Sequence, residues 1–383
     1  MADRQDKYFT ASFQYSPIDQ ADNIANKRRL MSIMGALAEA PLEQLPEAAR
    51  DGYAADVALH VTHPINELRG IEAALEGVWR PLRQALPDME RRENFVAGGR
   101  YRDGDWIACM GHYLGSFAHD LLGIPATGGV VHLRFCEGHA LRGGKIVTSY
   151  LFLDFLDLMR QAGYWPLAPS LGTEMRWMPP RTLDGVILTP QDEARSRRTI
   201  ETILKMHSAL GYYSGEAPTR AVLDEMEQAK HWHKDFMWYG PAGIGTTRGL
   251  KGYEDYHQIP FLVAFPDRGG SEQGHFIRIG DGYYAVTGGW GYLRATHRGG
   301  ELFGAPPTGK RVKMRVMDFY RCDDETIVEN WIPIDVPHLL LQMGVDVFGR
   351  MRHQFRQHKP ISASEWLIHH RGAEGAEQSQ RQS

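Results

Sequence analysis

At 383 residues, 43% hydrophobic and 23% charged, the chain has the composition of an ordinary folded protein with room for one or two cores. A formal net charge of −4 excludes the strongly basic surface of a nucleic-acid binder. No apolar run approaches the roughly 18 residues of a membrane span. Cys109, Cys136 and Cys322 stand at no ligand spacing and fit a reducing compartment. The polar N-terminus carries no signal-peptide pattern, so the expected location is the cytoplasm.

Residues 1–20 read as an irregular extension. The spacing of Ile24, Leu30, Ile33, Met34 and Leu37 predicts a helix over about 23–38, and a shorter helix follows Pro41. Alternation from Tyr53 predicts a strand, and Leu68-Arg69-Gly70 turns the chain into a third helix closed by Pro87-Asp88. Strands follow at about 93–100, 105–115, 130–140 and 145–153, with hairpin turns at Asp103-Gly104 and Gly143-Gly144. The same order then returns. Helices at about 191–209 and 218–229 precede a strand at about 231–239, a helix from Arg248-Gly249 to Phe265-Pro266, and a hairpin at Asp281-Gly282.

Gly304–Gly344 repeats Gly123–Gly163 at an offset of 181 without a gap. Gly-x-Pro-x-Thr-Gly aligns with itself, Glu137 with Asp318, Asp154 with Asp335, and Gln161-x-Gly163 with Gln342-x-Gly344. So long a period means two copies of one domain. The expected division is an extension (1–20), domain 1 (21–165), a Pro-, Trp- and Gly-rich linker (166–190), domain 2 (191–358) and a polar tail (359–383). Helices beside meandering strands make the fold class α+β.

That element order, with His297-x-Gly299, Pro306-Pro307-Thr308-Gly309-Lys310 and the closing Asp335-x4-Leu340-x-Gln342-x-Gly344, resembles the SnoaL-like polyketide cyclase or ester cyclase family of the nuclear transport factor 2-like superfamily. The resemblance implies two tandem cone-shaped barrels, each of three helices wrapped by a bent antiparallel sheet around one pocket. The two copies would pack as a pseudo-dimer. It also implies ring closure by aldol chemistry without a metal or organic cofactor, using an aspartate on the last strand and a neighbouring histidine. At the aspartate's place this chain has Leu151 and Ile332, and at the histidine's place Glu137 and Asp318.

The residues therefore point to altered chemistry. Val312, Met314, Val316, Asp318 and Tyr320 share one strand face, as do Val131, Leu133, Phe135 and Glu137. A carboxylate on an apolar face has a raised pKa and suits general acid/base work, or else it is bonded into the sheet. Asp335, like Asp154, is a candidate for the missing acid, but its place before an apolar helical run fits a helix N-cap better. His297 stands where the family often carries a histidine. Candidate substrate contacts are Asn330, Trp331, Trp238, Tyr239, Trp290, His112, Tyr150 and Trp106, several of which core packing would also explain. His231 and His233 share a strand face but lack a third ligand, so no metal or other cofactor is called for. The expected function is a cofactor-independent cyclase, isomerase or lyase acting on a small carbonyl compound; the alternative is a non-catalytic protein binding a small hydrophobic molecule. Neither nucleic acid nor membrane is an expected partner, and a homo-oligomer is left open.

Overall fold

The computed structural model describes residues 7–8, 10–270 and 274–357. The expected tail at 359–383 lies outside them, as do residues 1–6 of the extension.

Domain 1 begins with α1 (Gln20–Glu39) and α2 (Leu45–Gly52). Asp19 caps α1 by accepting from the Ala21 and Asp22 amides. β1 (Tyr53–Val61) and β2 (Asn66–Arg69) follow, and then α3 over 71–85. A meander of β3 (Glu90–Tyr101), β4 (Gly104–Ser116), β5 (Val130–Arg142) and β6 (Lys145–Leu153) leads to α4 (Phe155–Gln161). Domain 2 repeats the series with α5 (Glu193–Leu210), α6 (Arg220–Glu225), β7 (Trp232–Tyr239), β8 (Thr246–Arg248) and α7 over 249–264. It closes with β9 (His275–Asp281), β10 (Tyr284–Thr296), β11 (Arg311–Cys322), β12 (Ile327–Trp331) and α8 (Val336–Met343), to which α9 (Val347–Gln357) is added. The sequence pattern did not resolve the short β2 and β8, or α9.

The sheets run β2-β1-β6-β5-β4-β3 and β8-β7-β12-β11-β10-β9. The expected antiparallel pairing needs one correction in each copy. β1 runs parallel to β6, and β7 to β12, because a helix and four strands separate the members of each pair and return the chain in the same direction. Bulges between Glu93 and Phe95 and between Trp290 and Leu293 bend the sheets, and both remain open rather than closing into full barrels. The concave faces hold the helices.

Pro81 and Pro260 sit inside α3 and α7, where a helix loses a backbone donor. Both helices absorb the fault with a wide π turn just before the proline, at Leu75–Trp79 and Glu254–Gln258.

The convex faces of the two sheets pack against each other. Phe95 meets Phe319, Tyr284 and Trp331 with ring centroids 5.0, 5.1 and 6.4 Å away, and Tyr150 stacks on Phe276 at 3.7 Å. Gly288 lets Phe276 in: a Cβ there would lie 2.4 Å from its ring. The buried Lys27 of α1 reaches Asp281 of domain 2 at 2.7 Å, and the Gly98 amide bonds the same carboxylate. The linker joins both halves. Thr173 pairs with Thr246, Trp177 donates to the Gly240 carbonyl, and Val96 exchanges backbone bonds with Gly185 and Ile187.

Removing Lys27 leaves a buried carboxylate without its cation, a change that costs about 3–5 kcal/mol. Lys27→Ala is expected to lower unfolding free energy in urea by that order. The Lys27→Met/Asp281→Leu pair should recover much of the loss, since no charge is then stranded.

Candidate functional site

On β11 the inward face is Met314, Val316, Asp318 and Tyr320, because successive side chains of a strand point to opposite sides. This face forms one wall of a cavity that offers about 120 Å³ to the centres of water-sized molecules. Asn330 and Ile332 of the neighbouring strand continue the wall, Trp232 and Trp238 of β7 flank it, and His257, Gln258 and Phe261 of α7 close it from the helix side. The π turn is what brings His257 and Gln258 to the cavity.

Asp318 is 9% exposed. Its Oδ1 accepts from the Asn330 amide at 3.4 Å, and Tyr320 bonds the same carboxyl. His207 Nε2 lies 2.9 Å from the Tyr320 hydroxyl, so a chain of bonds runs His207–Tyr320–Asp318–Asn330. Among the described residues no cation faces the carboxyl, and burial pushes Asp318 up to about 7. Burial and the Arg278 charge hold His207 down to about 3, so its imidazole is neutral.

The same place in domain 1 is built differently. Glu137 accepts both arms of the Arg91 guanidinium at 3.1 and 2.7 Å, the Tyr113 hydroxyl at 2.8 Å and a contact from His139 at 3.3 Å. Arg91 lies over the Phe135 ring at 3.9 Å and so occupies the space in front of the carboxylate. Burial opposes ionisation of Glu137, but Arg91 and His139 outweigh it and bring the carboxyl down to about 2. Glu137 is therefore a structural anion held by a cation, whereas Asp318 is a carboxyl facing open space.

Among the other expected site residues, Asn330 and Trp238 line the cavity. Trp331, Tyr239, Trp290, Tyr150 and Trp106 lie instead where the sheets meet. Trp331 stacks on Tyr239 at 5.3 Å, and Tyr150 lies 5.6 Å from Trp290 and 6.1 Å from Trp106. One step along a strand reverses the face, so Asn330 and Trp331 part company. His112 is buried beside His132 on the convex side of β4. Asp335 caps α8 through the His338 amide, pairs with Arg315 at 3.0 Å and accepts from the His63 amide. His297 is buried, its ring held between Thr308 and the Gly300 carbonyl. Neither Asp335 nor His297 lines the cavity. No group of three or more His, Cys, Asp or Glu is placed to hold a metal ion among the described residues.

Sequence reading missed Tyr8. It precedes domain 1 yet lines the cavity of domain 2. Its segment is held there by the Gly270 amide on the Lys7 carbonyl, Arg278 on the Tyr8 carbonyl, and Lys7 on the Tyr213 carbonyl. It also missed Gln258 and Arg268, which have no repeat partner of similar chemistry.

Against known families, residues 32–162 and 221–343 each match the description "SnoaL-like polyketide cyclase", together well over half of the chain. The chain belongs to the SnoaL-like polyketide cyclase family. No curated protein matches it. Solved SnoaL-like structures cover one copy at a time. A SnoaL-like protein of Jannaschia sp. CCS1 is 19% identical over 38% of this chain and 94% of its own, with a TM-score of 0.32. IdmH of Streptomyces antibioticus is 19% identical over 36% and 99%, with a TM-score of 0.31. TsrD of Streptomyces laurentii is 20% identical over 38% and 98%, with a TM-score of 0.30. The two matched regions give this SnoaL-like chain two copies of the family domain. No helix among the described residues is long and apolar enough to cross a membrane.

The two carboxyls have opposite pH signatures. Glu137 is lowered, so its contribution is present above the ordinary carboxylate value and lost as pH falls towards about 2. Asp318 is raised, so its contribution is present below that value and lost as pH rises through about 7. Asp318→Asn is therefore expected to be more stable than the parent near pH 8 and little changed near pH 4. Glu137→Gln leaves Arg91 with Glu93, 2.8 Å from its Nε, as its remaining carboxylate and should cost about 3 kcal/mol at neutral pH. Urea unfolding of both variants at the two pH values checks this; an Asp318→Asn penalty that is equal at both would mean an ionised, paired Asp318.

Proposed function

We propose that domain 2 is a cofactor-independent acid/base catalyst for a small carbonyl compound, with Asp318 as the proton-transfer group, and that domain 1 is its structural partner. The observation that carries this reading is Asp318 itself. It is a carboxyl on the wall of a largely aromatic and aliphatic cavity, fixed by Asn330 and Tyr320, with a pKa of about 7. A group with a pKa near the working pH can both take and return a proton.

In this reading the Asp318 carboxylate removes a proton from the carbon beside a carbonyl. The carbanion adds to a second carbonyl of the same molecule, closing a ring. Protonated Asp318 then returns its proton to the new alkoxide. Return of the proton to another carbon would instead give isomerisation. Trp232, Trp238 and Phe261 exclude water from the reacting atoms. Ile332, which stands at the family's aspartate position and also lines the cavity, favours a second reading, in which the cavity only binds.

Exchange of the α-protons of 1-tetralone in D₂O, followed by NMR, separates the two. Acceleration by the full chain, lost by about 10²-fold or more in Asp318→Asn and rising with pH through about 7, is expected for the catalyst. Binding of the ketone with an exchange rate equal to that of Asp318→Asn would establish the binding reading instead.

A further inference from the structure

Building on the acid/base reading of this cavity, we infer that its ligand is an anion: an aromatic or cyclic carbonyl compound bearing a carboxylate, which docks on Arg268 while its carbonyl end reaches Asp318. The fold leaves buried polar atoms of two side chains unpaired. Gln258 is 3% exposed and lines the cavity, yet neither its amide oxygen nor its amide nitrogen has a partner. Arg268 also lines the cavity; its Nη1 is buried without a partner, and it makes no ion pair among the described residues. A buried amide or guanidinium nitrogen that gives up water without a replacement is unfavourable, so such groups are kept where something else completes them.

The repeat supplies an internal control. The helix–turn segment that carries these residues aligns with domain 1 at an offset of 179, which pairs Pro266 with Pro87, Gln258 with Trp79 and Arg268 with Met89. In domain 1 both positions are ordinary core: Trp79 is buried and donates to the Tyr53 hydroxyl, and Met89 is buried among aliphatic neighbours. The helix wall follows suit, with His257 in place of Val78 and Tyr253 in place of Ala74. The fold is therefore satisfied by apolar residues here, and the polar pair in domain 2 answers to another requirement.

The charges point to an anion. Arg268 rests on the Tyr213 ring at 5.0 Å, and Lys7 is close enough to feel its repulsion. Burial, and after it the Arg268 charge, depress the His257 imidazole. Arg268 does not act on Asp318, whose surroundings are burial, Tyr320 and Asn330. Tyr253 and Tyr292, by contrast, lie within electrostatic reach of both Arg268 and Asp318. The cation and the carboxyl thus occupy separate parts of one cavity, with phenols between them. A carboxylate on the guanidinium leaves the rest of the molecule against the aromatic wall, and the Gln258 amide can pair with a further ligand oxygen.

Calorimetric titration of the full chain near pH 7.5 with 3-benzoylpropionate and with its methyl ester tests this. The acid is expected to bind at least about tenfold more tightly than the ester. Arg268→Gln should remove that preference by weakening the acid alone, and Arg268→Lys should keep part of it; thermal midpoints report that both variants fold. Asp318→Asn should keep the full preference, so a failed proton-transfer role does not affect this measurement. Equal binding of acid and ester, binding of neither up to millimolar concentration, or a preference unchanged in Arg268→Gln would overturn the inference.

Discussion

Both faces of both sheets are buried, and the rest of the molecule follows from that constraint. Each concave face wraps its own helices, and each convex face meets the other sheet through Phe95, Tyr150, Phe276, Phe319 and Trp331. A single such domain would expose an aromatic surface large enough to demand a partner. Tandem duplication places that partner in the same chain. The Lys27–Asp281 pair and the threaded linker then fix the register of one half on the other. With the convex faces committed to this contact, the concave interior of domain 2 remains open to a ligand.

At the buried carboxyl the two interiors differ in whether a cation stands before it. In domain 1, Arg91, Tyr113 and His139 saturate Glu137, and the charge is stable because every lone pair is answered. In domain 2, Asp318 has an amide and a phenol but no cation, so burial keeps its proton bound until near neutral pH. The same fold position thus holds a carboxylate paired with a cation in one copy and a carboxyl raised to about 7 in the other. The cavity of domain 2 also borrows from outside its own fold, because Tyr8 crosses from the chain's start to complete the wall.

Much of the fold was legible because its signals are local. The period-2 pattern of Val312–Tyr320 placed Asp318 on the inner face, and Asp154 and Asp335 cap helices as their sequence positions suggest. The aromatic candidates were harder. Period 2 separates Asn330 from Trp331 and Trp238 from Tyr239, but it does not say which face holds the cavity when both faces are apolar. Hence Trp331, Tyr239, Trp290, Tyr150 and Trp106, expected near the ligand, hold the sheets together instead. The π turn that brings Gln258 and His257 to the cavity has only a faint trace in the sequence, a proline two residues further on.

The sequence by itself determined the duplication, the α+β element order, the family and the inward placement of Glu137 and Asp318, since each rests on spacing along the chain. Only the tertiary structure decided which carboxyl is paired with a cation. Arg91 lies 46 residues from Glu137, and no linear pattern joins them. Nor could spacing show that the corresponding space in domain 2 is left open for a ligand, with Tyr8 and Arg268 at its wall. Proton affinity is set by what surrounds a group in space, and for Asp318 those surroundings come from segments far apart in the chain.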